Sequence, residues 1–430
     1  MNPILFLTTV VLTQAGVSSP SASSPKLLTM AEAVRLANLN SPVLASAIAD
    51  LAAARSGAKS TKSGLSPKLS ANGFATNGSN AAIMSTAAGS DPTATMLVPS
   101  GSFFDGNLTM MIPLIVPSIL AKSKSADWQT RAAAGELKEA SADLALRVTS
   151  AYDRVLKGKQ MIIARGAKVA AAKELVRTSQ LRFDAGKGIE AGVQRSRAEL
   201  AHAERDLVTD RNDASKAMLD LQTEMGADLG TSFELSDLPA SPMADDRLEV
   251  RLTVAKRERG LLASVRARVE AAKADIRFAR AQHSPQLFGT LMGDATNRSD
   301  MGGISAGLMM SIPIFDGGRI DSDVSQATSM KVKATADLRQ AELTVEKEVR
   351  EAWLDVQSAQ QNRSSAESAV QAAASAYEVI ALRVSAGKSI LLEQLDALDA
   401  LTESRTDLAQ ATYDLAVAVA KLDRATGGQR

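Results

Sequence analysis

Two hydrophobic periods alternate along this chain. Between Pro117 and Pro239 there is no proline, and apolar residues at Leu137, Leu144, Val148, Ala151 and Val155 are spaced 7, 4, 3 and 4 apart, which keeps them on one helical face. After Pro313 proline is again absent, and leucines at 401, 408, 415 and 422 recur every seven residues as a coiled-coil seam. Around residues 304–312 the period drops to two: Ile304, Ala306, Leu308, Met310 and Ile312 alternate with Ser305, Gly307, Met309 and Ser311. Apolar residues on one side with small or polar ones on the other is the pattern of a membrane barrel strand.

The pattern is written twice. An offset of 201 positions lays Leu181-Arg182-Phe183-Asp184-Ala185-Gly186-Lys187-Gly188-Ile189 on Leu382-Arg383-Val384-Ser385-Ala386-Gly387-Lys388-Ser389-Ile390. The same offset carries Leu137 and Val148 onto Leu338 and Val349, and Gly226 onto Gly427. A repeat this long sets the fold before any single motif does. The first copy is expected over 26–230 and the second over 246–430, joined by a linker at 231–245. Each copy reads as a shorter helix (about 31–65, about 246–283), a Ser-Pro step, and a β-hairpin (about 68–113, about 286–315). A very long helix (about 118–182, about 319–383), a tip (185–188, 386–389) and a return helix complete it. In the first hairpin the strands at 68–76 and 103–113 are joined by a long loop rich in Ser, Ala, Thr and Gly. A 65-residue helix is roughly 98 Å long, and the shorter and return helices laid end to end match it. The expected class is mainly α with a small β part, arranged as long antiparallel helical hairpins. Four strands cannot close a barrel and lipid does not tolerate an open edge, so strands that cross a membrane require an oligomer.

Composition narrows the chemistry. Forty-nine basic residues face 48 acidic ones, which makes nucleic acid a poor partner. There is no cysteine, so disulfides, thiolate metal sites and thiol catalysis are excluded together. His202 and His283 lack ligand spacing, and Gly186-Lys187-Gly188 lacks the glycine and Ser/Thr of a phosphate loop. No catalytic group, cofactor or metal site is expected. At the front, Ile4-Leu5-Phe6-Leu7 and Val10-Val11-Leu12 precede small residues and a Ser/Pro-rich stretch to Pro25, so residues 1–25 read as an export signal and its follower, although the opening residues carry no Lys or Arg. Aromatics make up only 3% of the chain.

In this order the motifs resemble the TolC-like outer membrane efflux protein family. The resemblance rests on Leu28-Thr29-Met30-Ala31-Glu32-Ala33 with Ser41-Pro42, on the Ser66-Pro67 and Ser284-Pro285 steps, on Ile312-Pro313-Ile314-Phe315-Asp316-Gly317-Gly318-Arg319, and on the paired Arg-x-x-Ala-Gly turns. It implies a homotrimer in which three sets of four strands form one 12-stranded β-barrel in outer-membrane lipid. The helices would form an α-barrel across the periplasm. It further implies a passive exit duct for a tripartite efflux pump or type I secretion system, joined by a periplasmic adaptor to an inner-membrane transporter of RND, ABC or MFS type. By the same resemblance the tips Ala185, Gly186, Lys187, Ala386, Gly387 and Lys388 dock the adaptor, and Glu393 and Asp396 form the carboxylate ring of the entrance gate. Spaced i, i+3, those two share a helix face. Departures are visible too: Val384, Ser389 and Gly192 stand where family members carry residues that lock the tip, leaving Lys187, Lys388 and Glu190 as substitutes. No Trp or Tyr lies in the strands, so an aromatic girdle would rest on Phe74, Phe103, Phe104, Phe288 and Phe315. The competing reading is a soluble periplasmic coiled-coil scaffold, which accounts for the heptads but not for the period-two segments.

Overall fold

The computed structural model describes residues 26–78, 82–85, 95–98, 101–231, 233–236, 247–297 and 302–428. The expected export signal lies outside them. The first copy runs β1 (Lys26–Leu28), α1 (Met30–Asn40), α2 (Pro42–Ser63), β2 (Lys68–Gly78), β3 (Ala82–Ser85), β4 (Thr95–Val98), β5 (Gly101–Ile115), α3 (Pro117–Asp184) and α4 (Glu190–Met225). After β6 (Phe233–Leu235), the second runs α5 (Leu248–Glu258), α6 (Gly260–Ala281), β7 (Gln286–Thr296), β8 (Gly303–Ser311), α7 (Arg319–Ser385) and α8 (Leu391–Ala425).

The long helices α3 and α7 hold 68 and 67 residues, close to 100 Å each at 1.5 Å per residue. The expected single leading helix is broken in both copies. Ser41, forced out of the α region by Pro42, has φ −66° and ψ 123°, and Arg259 takes φ −65° and ψ 124° at the corresponding break. The breaks receive the ends of the return helices. At the end of α4, Gly226 has φ +63° and a Cβ there would lie 2.6 Å from the Asn40 carbonyl oxygen. At the end of α8, a Cβ on Gly427 (φ +76°) would lie 2.9 Å from the Arg259 nitrogen. Thus α2 and α4 (22 and 36 residues) form one pseudo-continuous rod beside α3, and α6 and α8 (22 and 35 residues) form another beside α7.

Charges clamp the second joint. Arg259, 1% exposed, donates to the Arg424 carbonyl oxygen at 2.6 Å and pairs with Glu139 and Glu348. Arg424 in turn reaches Asp143 at 2.6 Å, Glu348 at 2.7 Å and Glu139 at 3.0 Å. Three carboxylates from α3 and α7 therefore surround two guanidiniums, an arrangement costly to break because removing one partner leaves the others buried and unbalanced.

The expected linker contains β6, which pairs in parallel with β1. The hydroxyl of fully buried Tyr152 on α3 lies 2.8 Å from the Leu28 carbonyl oxygen and 2.7 Å from that of Ser236. One phenol thereby holds both strands against the apolar cluster of Leu144, Val148, Leu156 and Leu221.

The main sheet has the order β2-β5-β7-β8, antiparallel throughout, so β2 and β8 are open edges. Strand β5 continues beyond Pro113, which sits at a bulge; β2 pairing ends at Met111, so the missing N–H costs no ladder bond on that side. The long loop of the first hairpin is structured in part, with β3 and β4 forming a separate two-stranded ribbon.

Candidate membrane sheet and periplasmic tips

Directly opposed residues in antiparallel strands point to the same side, so the registers assign both faces of the sheet. One face takes Leu69, Ala71 and Gly73 from β2, Gly106, Leu108, Met110 and Ile112 from β5, Leu287, Gly289 and Leu291 from β7, and Ile304, Ala306, Leu308 and Met310 from β8. Apart from Asn77 and Ser102 at the loop end of the first hairpin, it carries apolar residues and glycines on every strand. The other takes Ser70, Asn72, Asp105, Asn107, Thr109, Thr290, Asp294 and Ser305, interspersed with Met111, Met292 and Met309; the Asn72 amide donates to Asn107 Oδ1 across it at 3.0 Å. On the apolar face Ile304 is 85% and Leu308 73% exposed, an arrangement that water disfavours. Among the described residues no helix is long and apolar enough to cross a bilayer; the large apolar surface belongs to the sheet. Strands β7 and β8, with 11 and 9 residues, have the length a tilted strand needs to cross a hydrocarbon core.

The register also corrects the expected aromatic girdle. Phe74, Phe103 and Phe288 lie on the polar face, and of the strand phenylalanines only Phe104 lies on the apolar one. Exposed apolar residues instead collect where strand meets helix: Leu114 and Ile115 at the end of β5, and Ile314 and Phe315 after β8, these last two 97% and 90% exposed. Asp316 closes that second junction. Its carboxylate accepts from Gly318 N at 3.0 Å and Ile320 N at 2.8 Å, and the Ile320 bond foremost holds its pKa below the usual carboxylate value. The first junction has no such carboxylate and starts α3 with Pro117, pre-set for helix and lacking an N–H to satisfy.

At the far end of the rods the two tips are built alike. Lys187 N donates to Arg182 O and Lys388 N to Arg383 O, each at 2.8 Å, and Gly186 and Gly387 take φ +70° and +71°. This six-to-one closure with a left-handed residue is why glycine sits there. All six expected docking residues are exposed, and with them Leu181, Phe183, Ile189, Leu382 and Ile390. Glu393 and Asp396 are exposed on α8, on the side away from buried Leu395 and Leu398, and Glu393 accepts a hydrogen bond from the Ser389 hydroxyl.

Other residues tie the tips together. Among the described residues no ion pair involves Lys187, Lys388 or Glu190. Arg182 donates to the carbonyl oxygen of Val384, joining the first tip to the second. Higher up, Lys168 on α3 lies 2.6 Å from both Glu199 on α4 and Asp399 on α8. Burial alone would lower the Lys168 pKa; the hydrogen bonds to Asp399 and Glu199 outweigh it and raise the value. Sequence reasoning missed this triad because its members are far apart in the chain, and Asp399 reads locally as one more residue of an acidic helix face.

The family profile described as outer membrane efflux protein matches residues 33–227 and 252–428. The outer membrane protein TolC of Vibrio cholerae is 25% identical over 411 residues, covering 93% of this chain and 90% of that protein. The alkaline protease secretion protein AprF of Pseudomonas aeruginosa is 24% identical over 335 residues, 73% of this chain and 68% of that protein. The solved outer membrane protein VceC of Vibrio cholerae superposes with a TM-score of 0.78 at 19% identity, over 93% of this chain and 96% of its own.

Proposed function

The chain belongs to the outer membrane efflux protein family, and we propose that it works as a homotrimeric exit duct, passive and without chemistry of its own, serving an efflux pump or type I secretion system. The observation that carries this reading is the four-stranded sheet with two open edges, apolar on one face and polar on the other. Lipid accepts the apolar face but not unpaired strand edges. Pairing β8 of one protomer with β2 of the next removes every edge and closes twelve strands around a polar lumen. A soluble scaffold would leave the apolar face in water.

The exposed tips, with apolar Leu181, Phe183 and Ile189 beside Lys187, and Leu382 and Ile390 beside Lys388, suit docking of a periplasmic adaptor that leads to an inner-membrane transporter. Glu393 and Asp396, repeated around a threefold axis, would place six carboxylates at the entrance and favour cations there.

Fractionation of cells expressing the protein tests the duct. A trimer in the outer membrane that dissociates on heating is the expected result; recovery only as a soluble monomer overturns the reading.

A further inference from the structure

The buried charges that cross from α3 to α8 have partners, with one exception between them. Asp153 is 1% exposed, and neither of its carboxyl oxygens has a hydrogen-bond partner. Its direction follows from its neighbours on the helix. Asp143 and Lys168 of α3 reach Arg424 and Asp399 of α8, and Gln160 and Ala164 share a groove with Leu408, Thr412 and Tyr413 of α8. Ile163 and Ala167 line that groove too; at 3.6 residues per turn Asp153 falls near the middle of the arc all these residues cover, roughly 160° wide, and so lies on the α8 side.

The two helices run antiparallel, so the pairs at Asp143–Arg424 and Lys168–Asp399 bracket what lies opposite Asp153. Ten positions on from Asp143 is ten positions back from Arg424, which puts Asp414 level with Asp153, flanked by Thr412 and Tyr413 and by Leu415-Ala416-Val417-Ala418; none of these donates to the Asp153 carboxyl oxygens. The titratable groups in or beside that stretch are Tyr413, Asp414 and Lys421 on α8 and Lys157 on α3 itself. On α4, Lys216 is paired with Asp213, and Asp220 with Arg154. Burial, and no charged neighbour, raises the Asp153 pKa to about 7.

We propose that the α3–α8 seam is a pH-sensitive joint. With Asp153 neutral, the buried carboxyl group is tolerated without a partner and the seam stays dry. When it loses its proton to solvent, the unpaired carboxylate draws water in through the adjacent groove, and α8 loosens from α3 around residues 411–420. A buried charge without a partner leaves no cheaper response. Because α8 also carries Glu393 and Asp396, the joint lies on the element that bears the proposed gate. The joint follows from packing within one protomer, so it stands or falls separately from the duct reading.

Hydrogen exchange on the full chain in detergent, corrected for intrinsic pH dependence, tests it. Between about pH 5.5 and about pH 8.5, corrected exchange over residues 411–420 should rise roughly tenfold or more in the wild-type protein. It should stay level in both Asp153→Asn and Asp153→Ala, either of which serves if the other fails to fold. Level exchange in the wild type, or the same rise in a folded variant that lacks the carboxyl group, overturns the joint.

Discussion

The ammonium of Lys168 on α3 lies 2.6 Å from a carboxylate oxygen of Asp399 on α8, so one ion pair ties the helical hairpin of the first copy to that of the second. Lys168 is nearly buried while Asp399 is half exposed, which places the tie between the surface and interior limits. Replacing it with Lys168→Met should cost about 1–3 kcal/mol. With the duct reading, the expected outcome is a larger open fraction in single-channel recordings. Because the folded pKa of Lys168 is raised, the stabilisation is complete below the ordinary lysine value and is lost only as pH rises above it. An open fraction unchanged by the substitution would count against this tie holding the entrance.

The carboxylates on α8 should set ion preference. Glu393→Gln combined with Asp396→Asn is expected to lower cation selectivity and to weaken block by multivalent cations, read as a shift in reversal potential under a salt gradient. Unchanged selectivity would remove both residues from the gate.

The two sheet faces should respond oppositely to charge. Leu308→Arg on the apolar face should cost about 2–4 kcal/mol, the usual penalty for arginine at the middle of a bilayer. Ser305→Arg, on the polar face of the same strand, should cost far less. Urea unfolding in lipid vesicles reads both, and equal costs would mean the faces are assigned the wrong way.

At the second tip, Gly387 holds φ +71° with open space where a Cβ would lie, so a side chain there meets backbone strain and no clash. Gly387→Val should lower stability by about 1–2 kcal/mol. Calorimetry showing no loss would mean that the turn readily adopts another conformation.

Asp153 gives the protein an inverted acid dependence. The folded pKa of about 7 exceeds the ordinary aspartate value of 3.8, so the folded state holds its proton more tightly. This site therefore opposes folding increasingly as pH rises from about 4 to about 7, by about 4 kcal/mol per protomer at the top of that window. Asp153→Asn should flatten that limb in urea titrations at successive pH values, and a limb of undiminished slope would assign the effect elsewhere.

Much of this architecture is legible in one dimension. The 201-residue echo, the seams at Leu401 and Leu408, the alternation through Ile304 to Met310 and the Ala-Gly-Lys turns are local patterns, and the helices, strands and tips appear where those patterns lie. The misses are of another kind. Helix periodicity continues across Ser41 and Arg259, although the chain breaks there to receive the ends of α4 and α8. Phe74 and Phe288 look like girdle residues until the register puts them on the polar face.

The sequence by itself determined the long helices, the strands of the main sheet, their approximate lengths and their duplication, because side-chain period and turn chemistry act over a few residues. Only the tertiary structure decided that β5 lies between β2 and β7, that Tyr152 holds β1 and β6, that Lys168 meets Asp399, and that Asp153 is buried without a hydrogen-bond partner. Those facts depend on which surfaces meet once rods of close to 100 Å pack side by side. An aspartate on a helix has the same local signature whether it faces water, an arginine or nothing at all, and only the packed partner decides its energy.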